Sequence, residues 1–204
     1  MRNYLAALSA SLLISVAPHA LAASNTDLSI AGTITPAACT PSFTDGGVID
    51  FGKISAKDLN LAGVTEIGRP RIQLAVACNA PNTFALHVIE NRPNTTSNGF
   101  FGLGLTDADE KLGHFVPWIF NVVADGGAAR PIISLDQGVT WKLAQHVGPT
   151  HYLSASALTQ LTPIAIKDLS MDLEIRTWIA RADSLTLTDE VSIDGSVTFE
   201  MMYL

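Results

Sequence analysis

Positive charge is scarce in this chain of 204 residues. It carries 12 Lys and Arg against 19 Asp and Glu, a formal net charge of −7, and nowhere do the basic residues cluster. Phosphate backbones are held by concentrated positive charge, so nucleic-acid binding is excluded as a function class. Cysteine is limited to Cys39 and Cys78, which leaves room for one disulfide at most. Charged residues of either sign make up only 15% of the chain and hydrophobic ones 48%, so much of the surface must be Ser, Thr, Asn, Gly and apolar side chains. That composition suits extracellular β proteins and proteins with adhesive faces. Beyond the N-terminus no apolar run is long enough to cross a bilayer.

Catalytic motifs are missing as well. No G-x-S-x-G elbow occurs. Gly102-Leu103-Gly104 is followed by neither a helix pattern nor Gly-Lys-Ser/Thr, so it is no phosphate loop. The histidines His19, His87, His114, His146 and His151 are not grouped with Cys, Asp or Glu at the spacing zinc sites use. Asp107, Asp109 and Glu110 lack the longer ligand ladder of a calcium loop and read as a solvated hairpin tip. The expectation is a protein that is not an enzyme and holds no metal or cofactor.

What is present begins at the first residues. Arg2 precedes the apolar run from Tyr4 to Val16, Pro18 breaks it, and Ala20-Leu21-Ala22 offers small residues for cleavage. This pattern is that of a secretory signal peptide over residues 1–22, with residues 23–204 as one mature domain. Export predicts an oxidising compartment, in which Cys39 and Cys78 form a disulfide. Loss of Arg2 with the signal makes the mature chain one unit more acidic.

The mature part reads as strands. Leu28, Ile30 and Ile34 alternate with polar or small residues, and Gly32 shares their parity. Val48 to Ile54 follows the turn Asp45-Gly46-Gly47 as a short strand-like run. Ile72, Leu74, Val76 and Cys78 alternate, as do Phe84, Leu86 and Val88. Phe115 to Val123 is apolar, and Leu173, Ile175, Thr177 and Ile179 share one face. Val197, Phe199, Met201 and Tyr203 alternate up to the last residue, Leu204. Period-2 patterning with turns between runs predicts half-buried antiparallel strands. One short helix is expected over Ala155 to Leu161 with Ser154 as its cap. Residues 92–112 read as a long loop or hairpin and 144–163 as irregular. No βαβ alternation appears, so the expected fold is an all-β, immunoglobulin-like antiparallel sandwich.

Trp118, Trp141 and Trp178, with Phe100 and Phe101, admit two readings. They are core packing, or they offer aromatic faces to sugar rings. An exposed Phe pair in the Gly/Asn-rich loop would mark a contact surface.

Several segments carry a family resemblance. Gly32-Thr33-Ile34-Thr35-Pro36-Ala37-Ala38-Cys39 resembles the first strand of chaperone–usher pilins, with its G-x-(V/I)-x-x-A-x-C pattern. Val48 to Ile54 resembles the following V-x-F-G-x-I strand, and Arg71 to Cys78 the strand bearing the second cysteine. Gly195 to Leu204 resembles the final pilin strand with its penultimate tyrosine. The segments TITPAACTP, FGKISAKDLN, RPIIS and PIAIKDL are similar to a family of exported proteins of unknown function that are often labelled beta-fimbrial subunits.

The resemblance implies an immunoglobulin fold of pilin type without its last strand, and a function as a fimbrial or fimbria-like structural subunit assembled by β-strand complementation. Its partners would be a periplasmic chaperone, an usher and other fimbrial subunits. Its location would be the periplasm, then the fimbrium at the cell surface. Leu28, Ile30 and Gly32 would belong to the donor strand. Ile34, Val197, Phe199, Met201, Tyr203 and the terminal carboxylate of Leu204 would line the acceptor groove. The donor available before the first strand is Ala23 to Ala31, which extended at about 3.3 Å per residue reaches about 30 Å, enough for a strand-sized groove without slack. The competing reading is a stand-alone periplasmic or secreted β-sandwich that binds a carbohydrate or a surface. A self-complementing strand from within residues 92–165 would favour that second reading.

Overall fold

The structure is a computed structural model that describes residues 38–204. The expectations for residues 1–22, Leu28, Ile30, Gly32 and Ile34 lie outside the described residues.

Alternating apolar residues do build strands here, and the strands form two antiparallel sheets. The strands are β1 (Cys39–Phe43), β2 (Thr65–Gly68), β3 (Arg71–Asn82), β4 (Phe84–Glu90), β5 (Phe101–Gly102) and β6 (Gly113–Ala124). They continue with β7 (Gly127–Ala128), β8 (Arg130–Ser134), β9 (Lys142–Leu143), β10 (Tyr152–Ser156), β11 (Ile166–Ile179) and β12 (Val197–Tyr203). The first sheet runs β1-β3-β11-β6-β5, with β2 added to β11 and β7 to β6. The second runs β12-β4-β10-β8-β9. The helical segments among the described residues are three short 3-10 turns.

The register follows from burial. On β3, Leu74, Val76 and Cys78 point inward, and on β11 so do Leu169, Met171, Leu173, Ile175 and Ile179. Their pairing is fixed by Leu74 opposite Met171 and Val76 opposite Leu169. A one-residue slip would turn both sets to solvent, so this register is strongly specified. Facing them from the second sheet are Phe84, Leu86 and Val88 of β4 and Leu153 of β10, all essentially inaccessible. Cys39 and Cys78 are directly opposite in the β1–β3 ladder and form the expected disulfide, with an S–S distance of 2.01 Å.

Strand order identifies the sandwich type. In an immunoglobulin domain one sheet is A-B-E-D and the other holds C, F and G, with F in the middle. Here β1, β3, β11 and β6 stand as A, B, E and D, while β4 and β12 stand as C and F. The hairpin partners β8 and β10 extend the second sheet beyond β4. The seventh strand, G, would lie on the free edge of β12, and no strand occupies that position among the described residues.

Three local expectations are corrected. The helix over Ala155 to Leu161 does not form. Ala155 and Ser156 pair with Pro131 and Arg130 in β10, and the Ser154 hydroxyl donates to the Phe84 carbonyl at 2.7 Å instead of capping a helix. Strand pairing on both sides overrides a weak helical propensity. It also gives the supposedly irregular stretch 144–163 a buried strand. Val48 to Ile54 is extended but unpaired. Gly52 takes φ +63 and donates its N–H to Asp50 Oδ1 at 2.7 Å, a local turn that ends the alternation. Phe101, expected on a loop, is fully buried and stacks on Phe115 at 5.1 Å. Residues 92–165 are used up in β5 to β10, none of which lies beside β12.

Candidate functional site

The free edge of β12 borders the most distinctive feature of the fold. The Ser196 carbonyl accepts from Asn91 N–H, and Leu204 N–H donates to the Thr83 carbonyl. Both groups therefore point toward β4. Backbone groups alternate sides along a strand, so those of Val197, Phe199, Met201 and Tyr203 point the other way, to the open edge. Side chains alternate with the same period. Phe199 is 8% exposed, and Val197 and Met201 pack against the core. Each of these residues thus sends its side chain inward and its peptide groups outward.

Beside that edge lies an apolar groove of about 220 Å³. Phe43 and Phe51 form one wall, Val197 and Phe199 the other, and Ile72, Phe115 and Ile175 the floor. A second hollow of about 770 Å³, between residues 49–59 and 187–193, shares Ile49, Phe51 and Ile193 with the first. The two hollows adjoin at these residues and together are called the trough. Apolar side chains and unpaired peptide groups, side by side, form a template for an added strand.

The walls of the trough are anchored at defined points. Phe43 meets Phe199 edge-to-face, with ring centroids 5.4 Å apart. The Tyr203 hydroxyl accepts the Cys39 N–H at 2.9 Å. Asp194 takes a two-pronged hydrogen bond from Arg92, at 2.6 Å and 2.9 Å, and donates its own N–H to the Leu103 carbonyl. The Arg92 guanidinium holds the Asp194 carboxyl below its usual pKa. Glu110, on the tip of the hairpin 105–111, accepts from the Thr186 backbone and hydroxyl, and the Thr186 N–H lowers its pKa. Hydrogen bonds to the ionised form favour that form.

The sequence-predicted groove residues divide accordingly. Phe199 is buried in the core, and Val197 and Met201 pack against it. Tyr203 is 39% exposed and Leu204 51% exposed. Tyr203 acts through its hydroxyl, and the Leu204 side chain lies over Gly138. Phe43, Ile49, Phe51, Ile72 and Ile193 belong to the trough but were not predicted. Phe43 and Phe51 are isolated large apolar residues beside turns, and that is the one signal that could have found them.

The remaining polar candidates sit apart. Asp107 and Asp109 are exposed at the tip of the hairpin. His151 Nδ1 accepts the Gly148 N–H at 3.0 Å, and burial lowers its pKa. Among the described residues no three His, Cys, Asp or Glu side chains come together as metal ligands would. No described helix is long and apolar enough to cross a membrane.

Residues 28–100 match the model of a family described as a protein of unknown function (DUF1120). The chain is 28% identical to Protein GltF of Escherichia coli K12, across 88% of this chain and 89% of that protein. It is 23% identical to the Uncharacterized protein YhcF of the same organism, across 92% of this chain and 94% of the relative.

Proposed function

We propose that this chain is a fimbria-like structural subunit, assembled by β-strand complementation and without enzymatic activity. The observation that carries this reading is the free edge of β12, with its outward peptide groups, above a trough lined by Phe43, Phe115 and Phe199. An incoming strand would gain main-chain hydrogen bonds along β12, and its alternate side chains would enter the trough. Repeated head to tail, such a contact generates an open filament. In this reading residues 1–22 direct export to the periplasm. A chaperone and usher guard the trough before assembly. The segment from Ala23 to Ala31, with Leu28 and Ile30 as its apolar anchors, is the donor for the next copy.

The test compares residues 23–204 with residues 32–204, both oxidised, by gel filtration with light scattering and unheated SDS gels. The longer chain is expected to give a ladder that collapses on heating, and the shorter one a monomer. Adding a synthetic peptide of residues 23–34 to the shorter chain should slow amide exchange at Val197, Phe199 and Met201. A stable monomer from the longer chain, together with no protection by the peptide, would sink the reading.

A further inference from the structure

The outer face of the first sheet, on the opposite side from the trough, has a composition unlike that of a solvated sheet. The outward positions of β6 are His114, Val116, Trp118 and Phe120, and those of β11 are Asp172, Glu174, Arg176 and Trp178, paired cross-strand. His114 is sandwiched between Trp178, at 5.0 Å, and Phe100, at 6.2 Å, both stacked. Trp118 lies against His146 at 5.3 Å, and the Arg176 guanidinium covers its ring at 4.1 Å. Both tryptophans are half-buried, so neither is a core residue.

Polar groups between the rings are held flat and fixed. Glu174 is only 7% exposed although it faces outward. Arg71 Nη2 donates to its Oε2 at 2.7 Å, and Arg176 Nε to its Oε1 at 2.9 Å. Glu66, opposite Trp178 on β2, is paired with Arg69. Asp172 accepts from Asn121 at 2.7 Å. Arg176 engages the carboxylate through Nε, so its two Nη groups make no hydrogen bond within the described residues. Around the rings the guanidinium groups of Arg69, Arg71 and Arg176 are thus matched by the carboxylates of Glu66, Asp172 and Glu174, while the exposed Asp168 lies farther along β11, opposite Ala77.

This balance selects the ligand. A phosphate or polyanion needs excess positive charge, and a basic peptide needs excess negative charge; neither is offered. Aromatic faces with rigid, planar donors and acceptors between them suit a ligand that has apolar ring faces and many hydroxyls. We propose that the outer face of the β3-β11-β6 sheet binds a neutral oligosaccharide, with Trp178 and the stacked Trp118–Arg176 pair as its two platforms and Arg176 as hydrogen-bond donor to ring hydroxyls. Trp118 and His114, which stacks on Trp178, are four residues apart on β6, about 13 Å at ~3.3 Å per residue. A ligand that reaches both platforms must therefore be longer than one sugar. The site does not depend on the trough, and it would let an assembled or a free chain attach to a glycan surface.

The test titrates the oxidised chain with cellohexaose, chitohexaose and maltohexaose, read by tryptophan fluorescence. At least one should quench the signal saturably. Trp118→Ala and Trp178→Ala should weaken that binding tenfold or more, while Trp141→Ala, on the other sheet, leaves it unchanged. Arg176→Lys keeps the charge, loses the planar fork and should also weaken binding, which covers the case in which a tryptophan variant fails to fold. No saturable quenching by any of the three sugars would overturn the proposal. So would binding indifferent to Trp118, Trp178 and Arg176. Concentration-dependent self-association abolished by Trp118→Ala would assign the face to a second copy and overturn it as well.

Discussion

The Tyr203 hydroxyl accepts the backbone N–H of Cys39 at 2.9 Å, from 164 residues away. This bond joins the free-edge strand of one sheet to the first strand of the other, across the side of the sandwich where the trough opens. Cys39 N–H is turned away from β3 and would otherwise be an unsatisfied donor at the rim. Tyr203→Phe removes the acceptor and keeps the ring. It is expected to cost about 1 kcal/mol in urea unfolding, the usual net value of one intramolecular hydrogen bond. It should also speed exchange of the Cys39 amide.

Phe43 and Phe199 brace the same opening from opposite sheets, edge-to-face at 5.4 Å. Phe199 is buried and Phe43 only partly so. Phe43→Ala should therefore cost about 2 kcal/mol, below the 3–5 of a fully buried phenylalanine. Its larger effect should be on complementation. The affinity of the peptide of residues 23–34 for the chain lacking residues 23–31 is expected to fall at least tenfold in isothermal titration, because one wall of the trough is lost.

Which parts of this were legible in the sequence follows from the kind of signal each leaves. Val197, Phe199 and Met201 alternate strictly, and period-2 alternation reports a face directly, so their inward orientation could be read. The pairing of Cys39 with Cys78 needed only the count of cysteines and the expectation of export. Phe51 and Ile193 could not be assigned. They lie on extended but unpaired segments, where no period exists and only tertiary packing decides what they touch. Ser154 misled for a related reason. A serine before Ala-Ser-Ala-Leu matches a helix start, but pairing with β4 and β8 is a long-range event that a local pattern does not contain. The outer aromatic face was only half visible. Trp118 and Trp178 admitted two readings in the sequence, core packing or ring faces, and their gathering with His114, His146 and Phe100 depends on strand register and on two loops.

Asp136 supplies a pH-dependent contribution to the loop after β8. Its carboxylate accepts the Ser134 hydroxyl at 2.6 Å and both the hydroxyl and the N–H of Thr140, and these hydrogen bonds bring its pKa down to about 2. An unfolded aspartate titrates near ~3.9. A carboxyl whose folded pKa is depressed stabilises the fold above the unfolded value, and that contribution fades as pH falls through the folded one. The contribution of Asp136 should thus be complete above about pH 4 and lost by about pH 2. Asp136→Asn should flatten the decline of the urea midpoint across that window relative to the wild type, with other carboxylates contributing equally to both. Ser134→Ala should move the Asp136 titration, followed by NMR, up toward its unfolded value.

Gly195 offers the sharpest separation of groove shape from fold stability. It sits on the trough wall between Asp194, which is tied down by Arg92, and the start of β12. A Cβ placed there would meet Phe115 Cε1 at 2.8 Å, Leu103 Cδ2 at 3.0 Å and the Gly102 carbonyl at 3.2 Å. The first two neighbours are side-chain ends that can turn aside; the third is backbone and cannot. Overpacking of this kind costs about 1–3 kcal/mol, so Gly195→Ala should still fold and keep its disulfide. The displaced Phe115 and Leu103 can only move into the trough that they line. The variant is therefore expected to remain a monomer as residues 23–204, with no heat-labile ladder on SDS gels, while Gly63→Ala, whose Cβ meets nothing within 4 Å, assembles like the wild type. A ladder of normal strength from Gly195→Ala would mean that the donor strand does not pass this point, and the path of complementation along β12 would have to be redrawn.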